Sequence, residues 1–357
     1  MSGKDDGVDT WSGKIRRVET SRVFRVNRLS VLVRRGRVSG RATDSFHGQG
    51  IRRMCVTVDM PTISVVIPLY NHEKYIRQAV ESILNQESGP CEIIIVNDGS
   101  TDGSEQVMTD ICRSHPDMVF WSQPNQGAHQ SINTGIRRAT GDVVAILNSD
   151  DSYHPQRLER CAEVLAVSAD IAAVTTGLNF MDAKGKKVKN RWYERSRSFF
   201  DKEGDLPLAL MNGNFFMTTS NIVIRRSVFD EIGYFASLRY VHDLDFFLRL
   251  LVQGKTIHMI DEPLLTYRMH SRNTILEEHA NVRAEWAFAC TRFMITARRL
   301  PASRQKGWAY VERFNQIMEM HSLNGLVNLF LFYFMGREVG YIDDDPDFLK
   351  LIHPVGK

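Results

Sequence analysis

No apolar run in this 357-residue chain approaches the roughly eighteen residues that a membrane-crossing helix requires. The opening stretch, MSGKDDGVDTW, lacks the apolar centre of a signal peptide, so the sequence reads as that of a cytoplasmic protein. The five cysteines, Cys55, Cys91, Cys112, Cys161 and Cys290, lie too far apart for a zinc-ligand spacing or a disulfide scaffold, and read as reduced thiols. No Gly-x-Gly-x-x-Gly follows the first strong strand pattern and no Gly-x-x-x-x-Gly-Lys-Ser/Thr occurs, which weakens dehydrogenase and P-loop readings. The Gly-x-Ser-x-Gly elbow of a serine hydrolase is also missing.

The composition, 43% hydrophobic and 24% charged, suffices for a sizeable core in one large or two medium domains. The net charge of +3 is uneven. Residues 1–53 hold thirteen Lys and Arg against five acidic residues, a local +8, which leaves −5 for the remainder. That first segment is rich in Gly and Ser, with a weak alternation in VFRVNRLSVLVRRGRV, and has little apolar surface to offset the entropy of ordering it. It reads as a basic flexible stretch over residues 1–60: a tail, a patch for anionic lipid, or translated sequence ahead of a start at Met54 or Met60. Its aromatic residues are sparse (Trp11, Phe24, Phe46), which argues against base stacking, and no nucleic-acid partner is expected.

From residue 62 the pattern becomes regular. The β-branched run TISVVIPLY (62–70) predicts a buried strand, and EKYIRQAVESILNQ (73–86) spaces its apolar residues as a helix. Strands at 92–100, 118–123 and 142–149 alternate with helices beginning near Thr101–Asp102 and over 130–140. Such alternation predicts a mostly parallel sheet with helices on both faces, whose ligands bind beyond the carboxyl ends of the strands. Tyr70–Asn71, Asn97–Asp98 and Asn148 to Asp151 stand at those ends. Further on, strands are expected over 171–182 and 255–263, a strand running into a short helix over 220–233, and a helix over 242–254, with a helical region from about residue 275. Asp150 and Asp151, read as adjacent exposed carboxylates, repel each other unless a hard divalent cation joins them. Magnesium or manganese so held completes its shell with water and substrate phosphates, which suggests a nucleotide diphosphate ligand.

Five segments in order resemble family-two glycosyltransferases, inverting enzymes of the GT-A fold: SVVIPLYN (64–71), IIIVNDGSTDGS (93–104), LNSDD (147–151), HDLDFFLRL (242–250) and YRMHS (267–271). The resemblance covers about residues 62–275. It implies a Rossmann-like GT-A α/β domain over 61–275 with a helical C-terminal extension over 276–357. It also implies nucleotide contacts from Pro68, Tyr70, Asp98 and Asn148, a cation (Mn2+ or Mg2+) on Asp150, Asp151 and His270, and Asp243 as catalytic base. The implied activity moves a sugar from a UDP-sugar to a glycan or lipid-linked acceptor in cell-surface polysaccharide synthesis, with peripheral association at the inner membrane face left open.

Bland alternatives stand beside each role: an N-cap for Asp150, Asp151 and Asp243, a turn for Asp98, core packing for Tyr70, a structural imidazole for His270. Asp245 is the second choice of base. Asn148 replaces the usual first Asp of the metal motif and Ile132 stands where many members carry a basic residue, so a nucleotide- or glycan-binding protein without transfer activity is the rival reading. Acceptor specificity is expected from residues 177–220. The run LVNLFLFYFMG (326–336), too short to span, is expected to be a buried helix or an oligomer contact rather than a membrane-docking surface.

Overall fold

A computed structural model describes residues 22–26, 29–34, 55–57, 59–277, 279–301 and 306–335. The chain divides after Met60 into two compact units. In the first, β1 (Arg22–Val26) and β2 (Leu29–Arg34) form an antiparallel hairpin, and β3 (Cys55–Thr57) runs parallel to β2. The hairpin falls on the one alternating run of a segment otherwise read as flexible. The rest of that segment, including Met54, lies outside the described residues, as does the stretch from residue 336.

The second unit is built on a 9-stranded sheet. Four parallel strands lie in the order β6 (Val119–Ser122), β5 (Glu92–Asn97), β4 (Ile63–Leu69), β7 (Val143–Ile146). The short antiparallel β11 (Val223–Arg225) then joins β7 to β9 (Ile171–Asp182). Beyond it β12 (Thr256–Met269) runs parallel to β9 and antiparallel to β8 (Ser152–Tyr153), and β10 (Lys187–Val188) flanks β9. Every residue of β4 is buried, as a parallel strand covered on both faces requires.

The crossover helices are α1 (Ile76–Leu84), α2 (Ser104–Ser114), α3 (Ala128–Arg138) and α4 (Arg157–Val167). On α1 the residues spaced for one face, Ile76, Ala79, Val80 and Ile83, are the ones buried. Between β9 and β11, where only a variable stretch is expected, the chain forms α5 (Arg191–Glu203) and α6 (Leu206–Asn212). The side chain of Asn190 caps α5 by accepting the N–H groups of Trp192 and Tyr193, and Gly204, at φ 69°, ends it. Next come α7 (Ser227–Ile232) and α8 (His242–Val252), which carries Phe246 and Phe247 into an aromatic core with Phe216, Phe229 and Phe235.

Strand β12 outruns its expected end at Pro263 by six residues. Its register with β9 shifts on either side of that proline, an irregularity where a missing N–H costs no ladder bond, and pairing then resumes through Met269. Tyr267 and Arg268 are therefore strand residues. The C-terminal helices α9 (His279–Arg298), α10 (Trp308–Met320) and α11 (Asn324–Phe334) belong to the same compact unit. On α11, Phe330 and Phe334 pack on Phe288 with ring centroids at 5.5 and 5.8 Å, while Phe332 stays exposed. The 326–336 run is thus buried on one face only, and no helix among the described residues is long and apolar enough to cross a membrane.

Helix α3 lies so close to β4 that a Cβ on Gly135 would fall 2.3 Å from Val66 Cγ1. A mid-helix glycine ordinarily costs about 1 kcal/mol relative to alanine; here the close approach reverses the sign. Gly135→Ala is expected to lose about 1–3 kcal/mol in urea unfolding. Gly325→Ala on α11, where nothing lies within 4 Å, is expected to be neutral or slightly stabilising.

Candidate active site

The carboxyl ends of β4, β5 and β7 form the floor of the site. Pro68 is buried within β4, whereas Tyr70, the first residue past it, is 46% exposed and so is not core packing. Asn71 follows at φ 53°, and its Oδ1 accepts the N–H groups of Thr101 (2.8 Å) and Asp102 (3.3 Å). Its own N–H donates to Ser100 Oγ at 3.0 Å. The turn after β4 is thereby locked to the turn after β5. Asp98 is buried and accepts from Gln126 N–H (3.0 Å), Gly127 N–H (2.8 Å) and Gln123 Nε2 (2.9 Å), shaping the turn that starts α3. Ile132, on the buried face of α3, is fully enclosed in the core. At the position compared with a basic residue, this chain thus places an apolar core side chain.

The two aspartates after β7 are not an exposed pair, contrary to expectation. Asp150 is 8% and Asp151 1% exposed. Asp151 Oδ1 accepts the backbone N–H of Arg268 at 2.9 Å, and Oδ2 accepts Ser220 Oγ–H at 2.6 Å. Each of its oxygens thus takes one donor in the interior. Arg268, itself buried, donates Nε to the Asp150 carbonyl at 2.8 Å and sets its guanidinium 4.7 Å from the Tyr75 ring centroid. Its guanidinium also reaches Gln78 Oε1 and the Asp182 carbonyl, and bonds neither carboxylate. Burial and the charge of Asp150 push the Asp151 carboxyl well above the usual range.

Asp150 instead faces two imidazoles. His270 Nε2 lies 2.9 Å from Asp150 Oδ2, and Arg272 N–H donates to His270 Nδ1 at 3.2 Å. His72, two residues beyond Tyr70, sets its ring edge-on to that of His270 with centroids 5.7 Å apart, and its Nδ1 meets Ser149 Oγ at 2.8 Å. One ligand atom from each of His72, Asp150 and His270 lies within 4.8 Å of the others. Burial lowers the pKa of His72 against the pull of Asp150, which favours the neutral imidazole that ligates metals. For Asp150, burial acts upward, but the hydrogen bond from His270 and the charge of His72 outweigh it and hold the carboxyl below its usual range. Two imidazole nitrogens and a carboxylate fit a first-row divalent ion such as manganese better than all-oxygen magnesium chemistry.

Asn148, expected to contact the nucleotide, is held in place by two threonines: its Nδ2 donates to Thr218 Oγ1 (2.8 Å) and its Oδ1 accepts Thr219 Oγ1–H (3.0 Å). Its N–H reaches the Oγ of Ser220, which also holds Asp151.

Asp243 sits in the first turn of α8, 9% exposed, with Val241 rather than Asp243 as the cap. Its Oδ1 accepts Leu244 N–H (2.7 Å) and its Oδ2 accepts Asn214 Nδ2 (2.9 Å). Burial raises its pKa despite the opposing charge of His242. The second choice, Asp245, bonds Arg249 (2.8 Å) and Arg292 (3.1 Å), which outweigh burial and hold it low; it is a structural ion pair. Tyr267, half-buried on β12, feels the charges of Asp150, Asp151 and Asp243, and so marks the ground between the two carboxylate sites. His129, on the first turn of α3, is pushed down to about 4 by burial and by His242. His72, Arg268, Asn214 and His129 were not singled out by sequence. For His72 the signal was there, a histidine just past a strand end that the sheet order sets beside the aspartates.

The profile of glycosyl transferase family 2 matches residues 64–233. The chain is 33% identical over 223 residues to an uncharacterized glycosyltransferase of Nostoc sp., covering 59% of this chain and 66% of that one. It is 30% identical over 221 residues to a chondroitin synthase of Escherichia coli, covering 61% of this chain but only 30% of the synthase. Staphylococcus aureus TarS 1–349 in complex with UDP-GlcNAc superposes with a TM-score of 0.53 at 16% identity, over 82% of this chain and 81% of that one. At that identity the likeness establishes the fold, GT-A, and no more. The ordered motifs, the sheet that presents their strand ends, and the profile match agree: this chain belongs to glycosyl transferase family 2.

Proposed function

We propose that this chain transfers a sugar from a UDP-sugar to an acceptor hydroxyl with inversion, assisted by a divalent cation, manganese rather than magnesium. The observation that carries the reading is the convergence of His72, Asp150 and His270 beside the strand end that exposes Tyr70. In support, the solved TarS complexes contain UDP and UDP-GlcNAc, and the related chains include a chondroitin synthase and a hyaluronan synthase. The names of those two relatives support a glycan as the acceptor.

Tyr70, exposed above the buried Pro68, offers a face on which the uracil stacks, and Asp98 shapes the wall beside it. A cation bound by His72, Asp150 and His270 would neutralise charge on the departing diphosphate. Asp243, its basicity raised by burial, takes the proton of the acceptor hydroxyl while that oxygen attacks the anomeric carbon. The bond to the diphosphate breaks on the opposite side, UDP leaves with the electron pair, and a single displacement inverts the centre.

Incubation with MnCl2 and a panel of nucleotide sugars is expected to release UDP from at least one UDP-sugar and to stop with EDTA; release that survives chelation would remove the cation from the reading. Asp243→Asn should lower turnover by about 10²–10⁴-fold while leaving UDP binding intact. Because the base acts deprotonated and its pKa is raised, the rate should fall with decreasing pH along a limb lying above the ordinary aspartate value of about 4. The two neighbouring aspartates should separate cleanly. Asp150→Asn is expected to keep the melting temperature and lose manganese binding by electron paramagnetic resonance. Asp151→Ala strands the Ser220 hydroxyl and the Arg268 N–H and should cost about 1–3 kcal/mol of stability for each group left unpaired.

A further inference from the structure

The residue that holds Asp243 lies outside every segment that carries the family resemblance. Asn214 follows α6 and donates its Nδ2 to Asp243 Oδ2 at 2.9 Å. Its own Oδ1 is buried and without a hydrogen-bond partner, one of three such side-chain atoms among the described residues; another is Nδ1 of His242, next to Asp243. An amide kept for stability would be expected to satisfy both its ends, since a buried polar atom left unpaired is a penalty. Here one end is spent on a carboxylate and the other left wanting.

The backbone around Asn214 is fixed from both sides. Gly213 passes α5 so closely that a Cβ would fall 2.7 Å from Ser196 Oγ. Asn214 C=O accepts Met217 N–H at 3.0 Å, and that turn closes with Met217 at φ 69°, a left-handed conformation that a side chain of this kind rarely adopts. Constraint of this kind collects where a side chain must be held in one place.

We propose that Asn214 is the positioning residue of the catalytic base: it fixes the Asp243 carboxylate plane toward the acceptor. The inference rests on the reading of Asp243 as that base. Each carboxylate oxygen takes one donor, Leu244 N–H or Asn214 Nδ2, and keeps one lone pair for the proton of the acceptor hydroxyl, whose electron pair forms the new bond to the anomeric carbon. The amide also stabilises the charged carboxylate, against burial. The other ionisable groups facing Asp243 are His242 on its own helix and Tyr267 on β12, with His129 on α3 beyond His242. Removing the amide withdraws a hydrogen bond from the ionised form, so the proton is held more tightly and more alkaline solution is needed to free the base.

The test follows Asp243 directly. With aspartate labelled at its carboxyl carbon, the Asp243 resonance is assigned by its loss in Asp243→Asn and titrated in the wild type, Asn214→Ala and Asn214→Asp. Its midpoint should rise by about half a unit or more in Asn214→Ala and further in Asn214→Asp, which keeps the shape but adds a like charge. The acid limb of UDP release from UDP-GlcNAc with MnCl2, water serving as acceptor, should move with it, while the Kd for UDP stays within about twofold. Unmoved midpoints in both folded variants would overturn the role of Asn214. Turnover surviving in Asp243→Asn would instead overturn the base itself, whatever the Asn214 variants do.

Discussion

A buried carboxylate, Asp151, organises this site. It lies at the end of β7 and is held by a hydroxyl from the β11 side, Ser220, and a backbone N–H from β12, that of Arg268. Burial and the charge of Asp150 push this carboxyl toward its neutral form, and the two donors that hold it come from segments that would otherwise be independent. By taking both, it fixes the height of β12 against β7. His270, two residues beyond Arg268, is thereby brought to Asp150. The order of dependence is then clear: the inert aspartate sets the geometry in which its neighbour can act.

The segment from Gly213 to Asn221 performs a matching task on the α8 side. Its first polar residue reaches Asp243, its threonines hold Asn148, and its serine holds Asp151. Nine residues thus join the start of α8 to the end of β7. Two of the three non-glycine residues with positive φ among the described residues, Asn71 and Met217, lie in the turns that border the site. Backbone strain of roughly 1–3 kcal/mol each is the kind of expense a fold carries where position matters more than stability.

Much of this was legible from residue patterns because parallel strands are short, β-branched and buried end to end, so ISVVIPL and VVAI announce both the sheet and the place where its ligands gather. Tyr70, Asp98, Asp150, Asp243 and His270 follow from that placement and from the motifs. What escaped the reading is pairing across the sheet. Nothing local says that Asp151 will accept from Arg268 and Ser220, that Ile132 faces inward, or that Asn148 will bond Thr218 and Thr219. Asn214 has no spacing signal at all, since its partner lies 29 residues later on α8, and His72 gains meaning only when the sheet order sets β4 beside β7.

The bond between Arg268 and Asp151 spans 117 residues of chain. During synthesis at about 5–20 residues per second, the first half of the sheet waits roughly 6–23 s for the strand that supplies this donor. Until β12 arrives, Asp151 lacks one of its two hydrogen bonds, so β4 to β7 can form their ladder while the edge beyond β7 stays open. The aspartate therefore acts as a timekeeper: the side where β9 and β12 dock closes last, and His270 meets Asp150 only at that moment.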